Sequence, residues 1–252
     1  VIRLERAALP LDTAARLKVY TRDIEQAAEP SRPDLAAHLW SHSTVRRRVR
    51  DGLLATLADM APGHQRCMYC GDGQGTDIDH FEPKSLAPLR TFDWLNHLLA
   101  CSYCNSNQKR NRFPRAEEGG GPLLLDPTLQ DPLNHLRLVL PLCTYKGLTP
   151  QGEACIDVFG LNSRGVLVNG RRTAYGTAKQ SIELWRIATD RGQHSKAAEV
   201  VRVAWDRPLA DVLVGMFHQS GHPAAELLFS GEEETLGFLR DQELREAFLS
   251  RT

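Results

Sequence analysis

Two Cys-x-x-Cys pairs, Cys67-Met-Tyr-Cys70 and Cys101-Ser-Tyr-Cys104, carry the strongest chemical signal in the chain. Two intervening residues let a tight turn bring both sulfurs of a pair to one side. Two such knuckles complete a tetrahedron of thiolates, the preferred setting of structural Zn²⁺. In a reducing compartment disulfides are the weaker alternative. Cys143 and Cys155 have no Cys or His partner at knuckle spacing and read as small buried apolar residues. Between the knuckles lies Asp79-His80-Phe-Glu-Pro-Lys84, then Asn96 beside His97, and Asn105 directly follows the last cysteine. With four thiolates present, His97 has no zinc position to fill.

A Gly-rich turn and a short run from Thr76 to Phe81 predict a β-hairpin between the knuckles. The polar stretch after Cys104 is helix-compatible until Pro114. Knuckle, hairpin, knuckle, helix is the order of a treble-clef zinc module. That order, with Asp79-His80, Asn96 and Cys104-Asn105-x-x-x-Lys109, resembles the HNH (ββα-metal) endonuclease superfamily in its four-cysteine branch. The resemblance spans about fifty residues, Cys67 to Pro114. It implies that zinc is structural, that Asp79, His80 and Asn105 form the active site, and that Asn96 makes a hydrogen bond holding the His80 segment.

Phosphodiester hydrolysis needs a base to activate water and a cation to stabilise charge on the phosphorane and leaving oxygen. His80 suits the base, since an unperturbed imidazole titrates near ~6.5. Asp79 and Asn105 offer hard oxygen donors suited to a catalytic Mg²⁺ or Mn²⁺. Adjacent strand residues face opposite ways, so Asp79 and His80 need a strand end or bulge to reach one phosphate. Lys84, Lys109, Arg110 and Arg112 are candidates for nucleic-acid phosphate contacts. Two readings compete with a DNA endonuclease. One is a nuclease of RNA or branched DNA; the other is a non-catalytic zinc module binding DNA or a protein.

The flanks must position this module. The expected fold class is mainly α with an embedded ββα-metal treble clef, in three stretches: helical residues 1–62, the module at 63–116, and a hairpin plus helices over 117–252. A first helix runs from an Asp12 or Thr13 cap to Ala28, and a second opens at Ser31 and closes at Pro62-Gly63. Arg46, Arg47, Arg48 and Arg50 lie on that second helix and are either solvated or DNA-facing. Gly119 to Pro122 marks a linker or turn. Apolar runs Leu136–Leu140 and Cys155–Phe159, flanking Gly147 and Gly152, predict a second hairpin. His135 reads as a packing residue. Helices are expected at about 164–189, 196–217, 222–229 and 232–249, with Trp185 and Trp205 packing between them.

The Leu-Asp-Pro and Asp-Pro elements near 125–132, with Gly-Leu-Asn at 160–162 and Arg171-Arg172, resemble the C-terminal part of the Septu (PtuB-like) anti-phage effector nucleases. That resemblance implies a role in antiviral defence beside an ATPase partner protein; separately, no phosphate-binding Gly loop is legible in this sequence, so no nucleotide hydrolysis of its own is expected.

The 252 residues include 31 basic and 31 acidic side chains, which excludes a uniformly basic coat but not a local basic groove. At 42% hydrophobic and 25% charged, the chain is composed like a folded globular protein rather than a disordered one. Neither a membrane span nor a secretory leader is legible, so the expected location is cytoplasmic.

Overall fold

The computed structural model describes residues 1–250, with Arg46 described by its backbone alone. The fold is mainly helical, with two small antiparallel hairpins set into it. Helix α1 (Leu11–Gln26) buries Leu17 and Ile24 on one face. Its N-cap is Pro10, with no side-chain cap, so neither Asp12 nor Thr13 serves there.

The expected second helix is broken into pieces. Helix α2 (Arg32–Ser41) stops at His42, whose backbone is extended. A short α3 (Ser43–Val45) then runs through a π-helical segment, Arg46–Arg50, into α4 (Asp51–Met60). Hydrophobic spacing persists through a one-residue extended kink, which is why periodicity alone reads a single helix. The fully buried Leu53 and Leu57 pack α4 against the module's sheet, each contributing about 1.5–3 kcal/mol.

That sheet is β1 (Asp77–His80) paired with β2 (His97–Ala100), in the register Asp77↔Ala100 to His80↔His97. Behind β2 the chain forms a π-helical segment, Tyr103–Lys109. Arg110 turns out of it at φ +50°, so the third element of the ββα unit ends well short of Pro114.

The second hairpin differs from expectation. Strand β3 (Leu136–Val139) pairs with β4 (Thr144–Gly147), while Cys155–Phe159 lies in helix α5 (Pro150–Phe159). Local chemistry accounts for this. Thr149 accepts a hydrogen bond from Gly152 N, Pro150 takes the first helical position, and Gly160 ends the helix in the left-handed conformation. Gly152, Cys155, Val158 and Phe159 then fall on one buried face at helical spacing.

Helix α6 (Gly165–Asp190) packs along α7 (His194–Asp206) and α8 (Asp211–Ser220). Pro208 separates those last two, where one continuous helix was expected. Short α9 (Ala225–Leu228), then α10 (Glu233–Arg240) and α11 (Gln242–Leu249), complete the bundle. Trp185 is buried, and Trp205 donates its indole N–H to Phe248 O at 2.9 Å. Among the described residues no helix is long and apolar enough to cross a membrane. A single hydrophobic cluster contains residues from all three stretches; Tyr69 of the first knuckle stacks on Phe159 of α5 at 4.0 Å.

Two glycine substitutions should move stability in opposite directions. A Cβ on Gly152 would lie 2.0 Å from the His135 carbonyl oxygen, so Gly152→Ala should cost at least about 1–3 kcal/mol and lower the melting temperature. Gly176, inside α6 with open space around it, should gain roughly 0.5–1 kcal/mol as Gly176→Ala. Paired thermal melts by circular dichroism check both signs.

Candidate active site

The first knuckle closes through Cys67 N donating to Gly73 O at 2.9 Å and Gly71 N donating to Cys67 O at 2.8 Å. Gly71 sits at φ +71°, a conformation open to glycine at little cost. Gly73 lies so close to the second knuckle that a Cβ there would come within 2.9 Å of Cys101 Cβ and 3.1 Å of its sulfur. The second knuckle begins where β2 ends, and Cys104 N donates to Cys101 Sγ at 3.4 Å. All four sulfurs lie within 4.8 Å of one another, with Cys70 and Cys101 at 3.9 Å.

A zinc ion about 2.3 Å from each of four sulfurs sets their separations near 3.8 Å, so the cluster fits structural zinc. Burial pushes the Cys67 thiol up, whereas hydrogen bonds among the sulfurs hold Cys70 and Cys101 down. A divalent ion removes that conflict by keeping every thiolate deprotonated. Arg164, leading into α6, places its guanidinium 4.1 Å over the Tyr103 ring and donates to Cys104 Sγ at 3.4 Å.

Strand β1 runs from this cluster and splits its side chains by period two. Asp77 and Asp79 face the Tyr103–Lys109 segment. Asn105 Nδ2 donates to Asp77 Oδ2 at 3.2 Å, and Lys109 Nζ donates to Asp79 Oδ1 at 3.1 Å and to His80 O at 2.6 Å. Tyr69 OH completes the cradle by donating to Asp79 Oδ2. Asp79 and Lys109 are 3% and 0% exposed. Burial pushes the Asp79 carboxyl up, and Lys109 and Tyr69 oppose that shift.

His80 occupies the last position of β1, on the opposite face. Its ring packs edge-on to Trp40 at 4.4 Å, and its Nε2 lies 3.0 Å from Thr91 O. The cross-strand His97 places its own Nε2 3.0 Å from the same carbonyl. A carbonyl only accepts, so both rings carry their proton on Nε2 and leave the Nδ1 lone pair free. Burial holds His80 well below the usual histidine range and His97 at about 4, so both are neutral near pH 7.

Asn96 is fully buried and stitches the segment after His80. Its Oδ1 accepts from Glu82 N at 2.8 Å, and its Nδ2 donates to the carbonyls of Glu82 and Arg90, each at 3.0 Å.

The four cysteines therefore converge, and Asp79, Lys109 and Tyr69 form one buried cluster. Asn105 pairs with Asp77, however, and among the described residues no hydrogen bond joins Asp79, His80 and Asn105 to one another. Lys109 is corrected outright. It is not a surface phosphate contact but the counter-charge that a buried carboxylate requires. Arg112 pairs with Asp157 across the surface, Arg110 is exposed, and half-buried Lys84 sits near enough to Asp79 to feel its charge. His135 bonds Thr149 Oγ1 at 2.8 Å beneath α5, and Cys143 and Cys155 are buried.

Sequence reasoning missed Thr91, Tyr69, Trp40 and Asp77. Period two along Asp77–His80 was a usable signal for Asp77; the others became neighbours only through folding.

The family model of the HNH endonucleases matches residues 67–111. Among curated proteins, the Septu protein PtuB of Bacillus mycoides (strain KBAB4) is 29% identical over 148 residues, covering 47% of this chain and 50% of that protein. The chain thus spans about half the length of the curated relative it matches, and no solved structure matches it. Both resemblances carried by the motifs, to the HNH superfamily and to the PtuB-like proteins, are supported by these matches.

Two substitutions test the buried charges. Lys109→Met should cost about 3–5 kcal/mol in urea unfolding by stranding the Asp79 carboxylate, and adding Asp79→Asn should restore part of that loss. Cys101→Ser should abolish stoichiometric zinc in metal analysis and the cooperative fold with it, because a structural zinc supplies on the order of 10 kcal/mol.

Proposed function

We propose that this protein is a metal-dependent HNH endonuclease that hydrolyses phosphodiester bonds in DNA, acting as an effector of anti-phage defence. The observation that carries the reading is the His80 ring within an HNH-matching module. Thr91 O holds the proton on Nε2, and burial keeps the imidazole neutral, so Nδ1 presents a fixed lone pair. In this reading Nδ1 takes the proton of the attacking water. Asn96 fixes the loop that supplies Thr91, and through it the direction of that lone pair.

Asp79 and Asn105 are the proposed ligands of a catalytic Mg²⁺ or Mn²⁺, which when bound would offset charge on the phosphoryl and leaving oxygens. The donor chemistry fits a hard cation. Asp79 of β1 and Asn105 of the Tyr103–Lys109 segment lie on the same side of the strand, the carboxylate keeps lone pairs beyond those used by Lys109 and Tyr69, and Asn105 donates through Nδ2, leaving Oδ1 open. Lys84, Arg110 and Arg112 remain as proposed backbone contacts at the module's edge. The defence role and a separate ATPase partner rest on the likeness to the Septu protein PtuB.

The test is a substrate panel of supercoiled plasmid, single strand, four-way junction and transfer RNA, each incubated with Mg²⁺ or Mn²⁺. The parent should cut plasmid DNA. His80→Ala should lose about 10²–10⁴-fold in rate while keeping its zinc and its thermal melt. An unimpaired His80→Ala variant would remove His80 from the chemistry. A parent that cuts nothing with either ion would point to a binding module instead.

A further inference from the structure

The π-helical segment Arg46–Arg50 has a geometry that is rare in proteins and frequent at functional sites. Its Arg47 and Arg48 side chains are exposed and Arg50 is half-buried. Among the described residues none of these three guanidiniums has a carboxylate partner, although Asp51 follows them at the start of α4. Arg16 of α1 donates from Nη1 to Arg48 O at 2.9 Å and is itself paired with Asp12 at 3.7 Å, so the unpaired charge is that of Arg47, Arg48 and Arg50. Such a concentration of unneutralised charge is stabilised best by a polyanion.

Directly beside these arginines a cleft of about 270 Å³ opens between α2 and the π-helical segment, lined by Trp40, Ser41, Val45, Val49 and Arg50. Its walls are aromatic and aliphatic, and Arg50 contributes the one cation among its described lining residues. The indole that lines it is the same one that packs on His80 at 4.4 Å and on His97 at 5.3 Å. The cleft therefore lies one indole away from the imidazole to which the endonuclease reading assigns the base. An aromatic wall offers a stacking surface that only an unstacked base can use, and a paired duplex is too wide to enter.

We infer that this cleft takes an unpaired nucleotide of a nucleic-acid strand, with its base against Trp40 and its phosphate on Arg50, the strand continuing out of the cleft over the exposed Arg47 and Arg48. The inference rests on the endonuclease reading and adds a substrate class to it: strands that are single or locally open where they pass His80. The shared chemistry is a phosphodiester strand with an accessible base, which DNA and RNA both provide.

The test is fluorescence anisotropy with the full zinc-bound chain, without Mg²⁺ or Mn²⁺ so that nothing is cut. Labelled single-stranded DNA, RNA of the same sequence and the matching DNA duplex are titrated at several salt concentrations. One or both single strands should bind more tightly than the duplex. The double variant Arg47→Glu/Arg48→Glu should weaken single-strand binding at least tenfold, and losing two phosphate contacts should flatten the log–log salt slope by about 1.4. If the glutamates disturb the thermal melt, Arg47→Ser/Arg48→Ser carries the same comparison. Unchanged affinity and slope in variants of a parent that binds and cuts would overturn the cleft assignment alone. Duplex binding as tight as single-strand binding would overturn the unpaired-nucleotide assignment. A parent that binds no nucleic acid would overturn both this inference and the endonuclease reading.

Discussion

Four buried sulfurs within 4.8 Å of one another are the constraint on which the candidate site depends. They tie a turn near residue 70 to the end of β2 thirty residues later, and so fix the ends of the hairpin that carries Asp79 and His80. A hairpin of two four-residue strands has too little surface to hold itself together in water. The four-cysteine cluster on one side and the leucines of α4 on the other hold it in place. Arg164 extends the restraint outward, because its contact with Cys104 connects the cluster to the helix that opens the C-terminal bundle.

On strand β1 the period-two alternation separates two kinds of chemistry. One face is anionic and amide-rich, with Asp77 and Asp79 read by Asn105, Lys109 and Tyr69. The other face is aromatic, with His80, His97 and Trp40 stacked around the Thr91 carbonyl. The low-dielectric packing that keeps His80 neutral also makes the Asp79 charge costly, and Lys109 supplies the compensation. Burial thus acts in opposite directions on two adjacent residues: it removes the charge from one and demands a counter-charge for the other.

The N-terminal helices do more than cover the module. Trp40, near the end of α2, packs edge-on to the imidazole, and in the π-helical segment after the break at His42 Arg47, Arg48 and Arg50 have no acidic partner among the described residues.

By itself the sequence determined what short-range spacing can specify. The Cys-x-x-Cys pairs specified the convergence of four sulfurs, since two-residue turns have few solutions. The Thr76–Phe81 run specified β1, and apolar repeats marked most helices, α6 almost to the residue. It misassigned Cys155–Phe159 because a short apolar run fits either strand or helix; the Thr149 cap and Pro150 that decide for helix lie outside that run. Only the tertiary structure decided that Lys109 is buried rather than on the surface, since pairing with Asp79 is a contact across thirty residues. Only it decided which imidazole nitrogen is free, because that depends on Thr91 and Trp40 arriving from two other parts of the chain. Ligand identity is a local property of residue type and spacing, whereas proton position and charge balance are set by whatever the fold brings within a few ångströms.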